Sequence, residues 1–100
     1  MRIVVLFNLK ADVDPAEYEA WVRNTDYPGT RGLGSVTGFT TYRTKGTLGG
    51  GEAPYQYVEI IDIVGLEPFM ADVATDAVQQ LAAQFGAFAD NPHFVMTEAL

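Results

Sequence analysis

The chain has no cysteine, which removes disulfides, thiolate nucleophiles and the thiolate-based zinc sites together. Basic residues are scarce. Six Lys and Arg stand against thirteen Asp and Glu, a formal net charge of −7, and binding a phosphate backbone needs a basic surface that this balance does not supply. The same balance disfavours anionic membranes, and no apolar run approaches bilayer-spanning length. One histidine, His93, among scattered acids gives no metal-ligand spacing, so no metal is expected. The run GTLGGG, residues 46–51, lacks the GK[ST] ending and strand-to-helix context of a phosphate loop, and no dinucleotide fingerprint occurs. It reads instead as a mobile hairpin tip, or a flap over a pocket, and no cofactor is expected. The opening MRIVVLFNL has one Arg and no small-residue cleavage site, so it reads as a strand and not a signal peptide. These absences leave an acidic, cytoplasmic, single-domain globular chain of residues 1–100, with neither nucleic acid nor membrane as partner.

What is present falls in a regular order. Arg2 to Leu9 is apolar on both faces, as a strand covered on both sides should be. Asp14, Pro15 and Glu17 form a helix start with a D-x-x-E capping box. Tyr18, Trp21, Val22 and Thr25 then share one face, and Pro28 with Gly29, Gly32 and Gly34 should end this helix near Thr25. Val36 to Thr44 reads as a second strand and Tyr55 to Ile63 (YQYVEIIDI) as a third, paired as a hairpin across the glycine cluster. Leu66 to Phe88 returns to a helical period. Asp76 with Gln79 can cap a second segment, so a break near Thr75 is expected. Asn91-Pro92 reads as a turn and His93 to Leu100 as a closing strand.

This β-α-β-β-α-β order is the ferredoxin-like arrangement, an α+β fold with a four-stranded antiparallel sheet and both helices on one face. It raises a question about Glu59, a carboxylate in the middle of a sheet-prone segment. Placing Val58 and Ile60 under the helices turns Tyr55, Tyr57, Glu59, Ile61 and Ile63 to the other face. That face is too apolar to lie open, and a second copy is its simplest cover, which gives a homodimer with Glu59 between two sheets. A slip of one position puts Glu59 under the helices instead, and the composition does not exclude it.

The segments FNLKADVDPAEYEAW, TDYPGTRGLGSVTGF, YQYVEIIDI and FADNPHFVMTE resemble the RedY-like/HapK family of small proteins from prodigiosin-type pigment pathways, over nearly the whole chain. The resemblance implies a dimeric α+β barrel of ferredoxin-like subunits, with a pocket between sheet and helices or in the barrel interior. It implies secondary-metabolite biosynthesis on pyrrole- and indole-containing compounds by cofactor-free condensation, cyclisation or dehydration. Fold resemblance by itself does not settle chemistry.

The candidate site residues each carry two readings. Glu59 is a general acid or base with a pKa raised by an apolar pocket, or a structural carboxylate paired with Arg43 across the hairpin. Asp26 is an acid/base group or the cap of a short turn. His93, the natural proton carrier near neutral pH, is a catalytic candidate or an exposed residue at the start of the last strand. Asn8 orients a substrate carbonyl or satisfies a strand end. Tyr42 and Tyr57 offer hydroxyls to a ligand or pack across strands. Tyr27 and Arg31, beside Asp26, belong to the segment that shapes the pocket mouth in such barrels. Tyr18 and Trp21 read as core.

Two classes of function remain. The first is a cofactor-independent enzyme moving a proton on a small hydrophobic or heteroaromatic carbonyl metabolite, with oxygen-dependent oxidation as a variant of the same site. The second is a non-catalytic dimer that binds or chaperones a hydrophobic intermediate. A barrel simply filled by aromatics is the blandest alternative.

Overall fold

A computed structural model describes all residues, 1–100. Strand β1 (Arg2–Leu9) lies inside a sheet of order β2-β3-β1-β4, flanked by β3 (Tyr57–Ile63) and β4 (Ala89–Thr97), with β2 (Val36–Arg43) at the far edge. All three pairings are antiparallel. The helices lie on one face, so the architecture is ferredoxin-like, as the sequence order requires.

The first helix departs from expectation. Helix α1 (Pro15–Trp21) is capped by Asp14, whose carboxylate accepts from the Ala16 N–H at 3.0 Å. No bond returns from the Glu17 side chain, so the capping box is half used. The helix does not stop near Thr25. It widens into a π-helical turn, Val22–Asp26, where the Tyr27 N–H reaches the Val22 carbonyl, and runs on as α2 (Tyr27–Arg31). Pro28 is tolerated because it falls in the first turn of α2, where its missing N–H is not needed, and the wide turn before it relieves the clash a proline makes in a regular ladder.

The second helical region is broken where expected, into α3 (Leu66–Val73) and α4 (Asp76–Phe88). The cap is Thr75, one residue earlier than read, accepting from the Val78 N–H at 3.4 Å. The closing strand begins at Ala89, and Asn91-Pro92 lies within it. Asn91 has φ +47°, and the β1–β4 register shifts between Leu6 and Asn8. The expected turn is therefore a bulge on an edge strand, where Asn tolerates left-handed φ and Pro loses no inner ladder bond.

The sheet faces are inverted relative to the first expectation. Ile3, Val5, Phe7 and Leu9 of β1 and Tyr57, Glu59, Ile61 and Ile63 of β3 are the buried set, under the helices. Val4, Leu6, Val58 and Ile60 are the half-buried residues of the open face. Alternation along β3 fixed the two sets. The choice between them is made by Tyr18 and Val22, which pack onto the face carrying Phe7 and Tyr57. Tyr18 is fully buried, 5.8 Å from the Phe7 ring, 5.0 Å from Tyr57 and 5.5 Å from Phe88. Each such buried aromatic contributes roughly 1.5–3 kcal/mol. On the open face Arg2 pairs with Asp62 at 2.8 Å, while Tyr42 and Val95 stand exposed.

Neither α3 nor α4 contributes a fully buried residue. Both helices are amphipathic, yet they stand off the sheet. The space beneath them is an apolar cavity.

Candidate active site

A cavity of about 440 Å³ separates α3 and α4 from the helix-side face of the sheet. Its floor is Ile3, Phe39 and Ile61, its roof includes Phe69, Val73, Leu81 and Phe85, and its rim includes the exposed Leu66, Met70, Phe94 and Met96. Of its seventeen lining residues fourteen are hydrophobic, and the remaining three are Asp26, Thr30 and Glu59. The size lies within the range of small-molecule sites.

Each carboxylate is brought there by a different device. Glu59 arrives by strand alternation, opposite Val5 on β1 and Thr41 on β2. Asp26 ends the π-helical turn. The i→i+5 bonding rotates it back onto the buried face below Tyr18 and Val22, and both it and Val22 are buried. π turns of this kind commonly mark functional positions.

The hydrogen bonds leave one oxygen of each carboxylate free. Glu59 Oε1 accepts from the Tyr18 hydroxyl at 3.4 Å and the Thr41 hydroxyl at 3.5 Å, both long contacts, and Oε2 has no protein partner. Asp26 Oδ1 accepts from the Thr30 hydroxyl at 3.0 Å, and Oδ2 has none. No buried side-chain polar atom is shut off from both a partner and open space, so the free oxygens reach the cavity.

Burial then separates the two acids. It pushes the Glu59 carboxyl up to about 8, with Asp26's negative charge adding to the rise and the Tyr18 and Thr41 bonds opposing it. Burial pushes Asp26 up to about 6, against the Thr30 bond. Glu59 is therefore the weaker acid of the pair, the one that keeps its proton to the higher pH. Tyr18 is pushed above its ordinary range by burial and by Glu59 and remains a donor.

The other candidates lie elsewhere. Tyr27 and Arg31 cover the exposed edge of β2: the Tyr27 hydroxyl accepts from the Thr41 N–H at 3.0 Å and donates to its carbonyl at 3.3 Å. Arg31 Nε donates to the Phe39 carbonyl at 3.0 Å and stacks 3.7 Å over the Tyr27 ring. That arrangement protects an edge strand. The Tyr57 hydroxyl donates to Glu19 at 2.7 Å in a cleft with Arg43. Arg43 pairs with Glu19 and not with Glu59, because the register sets it opposite Tyr57. Asn8 clamps the end of β1, accepting from the Gln56 N–H at 2.9 Å, while Gln56 accepts from the Leu9 N–H at 2.7 Å. Tyr42 lies on the open face, and so does His93, exposed, with its ring 6.0 Å from Tyr55. The glycine-rich tip lines a separate recess with Asn8 and Gln56 and forms no flap over the cavity. No three His, Asp or Glu side chains converge as a metal-ligand set would.

Two members of the site were not singled out as such in the sequence. Tyr18, which reads as core from its helix face, is also a donor to Glu59. Thr30 stands four residues after Asp26, a helical spacing that becomes visible only once the helix runs through Pro28.

With cavity and acid pair in place, the comparison with known proteins is direct. The sequence matches the family described as REDY-like protein HapK over residues 1–100. The chain belongs to that family. HapK from Hahella chejuensis has the same fold, with TM-score 0.76 and 27% identity over 100% of this chain and 95% of the other. SnoaB from Streptomyces nogalater, a cofactor-independent oxygenase, shares the fold at TM-score 0.74 and 16% identity, covering 99% and 93% of the two chains. A dimeric ferredoxin-like protein of unknown function from Thermobifida fusca does so at 0.69 and 17%, covering 94% and 85%. No curated protein sequence matches the chain. No helix is long and apolar enough to cross a membrane.

Proposed function

We propose that this HapK-family chain is a cofactor-free enzyme that moves a proton on a small hydrophobic or heteroaromatic carbonyl compound, in secondary metabolism of the prodigiosin type. One observation carries the reading. Asp26 and Glu59 each present a free oxygen to an otherwise apolar cavity, and their environments divide them into a base and an acid at neutral pH.

The step balances within the pair. Asp26 Oδ2 takes a proton from the carbon next to the carbonyl, the C–H electron pair becomes the enol double bond, and Glu59 Oε2 gives its proton to the carbonyl oxygen. The site is left with Asp26 protonated and Glu59 ionised. Proton exchange between the two, or with water at the rim, restores it. Condensation, cyclisation and dehydration all begin from such an enol. His93, on the open face, takes no part.

The chain works as a homodimer through the open sheet face, where Val4, Leu6, Val58 and Ile60 form an apolar strip. The dimeric fold neighbour agrees with this assembly. The fold neighbour described as a cofactor-independent oxygenase makes capture of oxygen by the same enolate an alternative outcome. The wide apolar rim is the feature that favours the non-catalytic reading, a dimer that shelters a hydrophobic intermediate.

The test is solvent exchange into 1-tetralone, a bicyclic enolisable ketone, followed by NMR in deuterated buffer at pH 7. Exchange should exceed the buffer rate and fall about 10²- to 10⁴-fold in Asp26→Asn, the usual size of a general-base contribution. Exchange no faster than buffer alone removes the enzyme and leaves capture.

A further inference from the structure

We infer that the cavity selects its ligand by charge: it takes a neutral compound bearing an N–H, O–H or acidic C–H beside an acceptor, and it refuses anions. This rests on the cavity being the ligand site, as proposed above, but not on any turnover there.

The polar valences of the cavity lining set this preference. Among the seventeen lining residues there is no Lys, Arg, His, Asn or Gln. The arginines are held elsewhere. Arg2 pairs with Asp62 and Arg23 and Arg43 with Glu19. Arg31 is committed to the Phe39 carbonyl and the Tyr27 ring. Lys10 and Lys45 lie outside the cavity lining. A carboxylate, sulfonate or phosphate entering the cavity therefore finds no countercharge, and one carboxylate is already ionised there. Desolvating an unpaired anion beside a like charge is among the costliest events in a protein interior.

The same valences define what is wanted. The Thr30 proton is spent on Asp26 Oδ1, and those of Tyr18 and Thr41 are directed to Glu59 Oε1. What remains is one acceptor, Asp26 Oδ2, and one site that donates when protonated, Glu59 Oε2. A ligand that offers a donor to the first and an acceptor to the second satisfies both, and one lacking either leaves a buried group unpaired. Amides, enolised carbonyls and related tautomerisable groups have this pattern. The chain's net charge of −7 acts in the same direction during approach.

The test compares two probes of nearly the same outline, 2-naphthamide and 2-naphthoate, by titration calorimetry on the full chain at pH 7.5. The amide is expected to bind about tenfold or more tighter than the anion. In the Asp26→Asn/Glu59→Gln double variant the difference should shrink at least about threefold, because the like charge is gone, while the missing countercharge keeps the amide ahead. A second measurement needs no variant: naphthoate, still ionised at pH 6, should bind wild type more tightly there than at pH 7.5, as Asp26 takes up a proton. Equal affinities at pH 7.5, or a preference undiminished by the double substitution, overturns charge selection while the 1-tetralone exchange still decides the enzyme reading. Failure of both probes to bind wild type overturns it together with the cavity as a ligand site.

Discussion

The Tyr18 hydroxyl points at Glu59 Oε1 from 3.4 Å, across forty-one residues of chain. A helix residue read as core thus holds the central acid of the cavity, and its oxygen is the part of the ring that matters to Glu59. Tyr18→Phe keeps the aromatic cluster and removes the donor. Because that bond holds the Glu59 carboxyl down, its loss should raise the carboxyl further above about 8. Side-chain carbonyl NMR of Glu59 reads the shift, and the stability cost should stay near 1 kcal/mol. An unmoved or lowered titration would show that Tyr18 does not position Glu59.

Glu59 also makes stability depend on pH with a definite sign. Its carboxyl stays protonated in the folded chain up to about 8, whereas in the unfolded chain it ionises near 4.5. The unfolded state therefore binds fewer protons between these values. The contribution is complete below about 4.5 and is lost as pH rises toward 8. Glu59→Gln should melt close to wild type at pH 4 and above it at pH 8. The gap should grow by at most about 1.4 kcal/mol per pH unit, each kcal/mol being about 4–8 °C in a domain this size. A wild type that instead gains on the variant as pH rises identifies a charge-stabilised carboxylate and ends its role as an acid.

Gly29 on α2 meets Leu81 on α4 so closely that an added Cβ would lie 2.7 Å from the Leu81 Cδ1. The Leu81 terminus is flexible and borders the cavity, so Gly29→Ala should push it inward. The expected result is a loss of 2-naphthamide affinity of about fivefold or more with a stability change under about 1.5 kcal/mol. Unchanged affinity would mean that the side chain turns away from the cavity.

Ile60 sits on the open face beside Val4 and Val58. Ile60→Lys places a charge in the proposed dimer contact while leaving the helix-side core untouched. Light scattering should then report half the wild-type mass, with the helical circular dichroism retained. A monomeric wild type, or a variant that stays dimeric, moves the contact to another surface.

The family and the order of elements were legible in the chain. β-branched runs, the Asp14-Pro15 start and the break before Asp76 come from local propensity and capping, which act over a few residues. The continuation of the first helix through Pro28 was not legible, because a proline is normally a stop and only the π turn before it makes room. Asn91-Pro92 reads as a turn for the same kind of reason. The local preference for left-handed φ is real, but the pairing with β1 turns it into a bulge.

Alternation in YVEIIDI determined that Tyr57, Glu59, Ile61 and Ile63 share a face, since the period of a strand is two whatever surrounds it. It did not say which face the helices cover, because exchanging the faces leaves the pattern unchanged. That choice was made by Tyr18 packing against Phe7 and Tyr57. The meeting of Asp26 with Glu59 is likewise tertiary. It needs a widened helical turn and a strand residue thirty-three positions later to converge beneath two helices that stand off the sheet, and no local preference reaches that far along the chain.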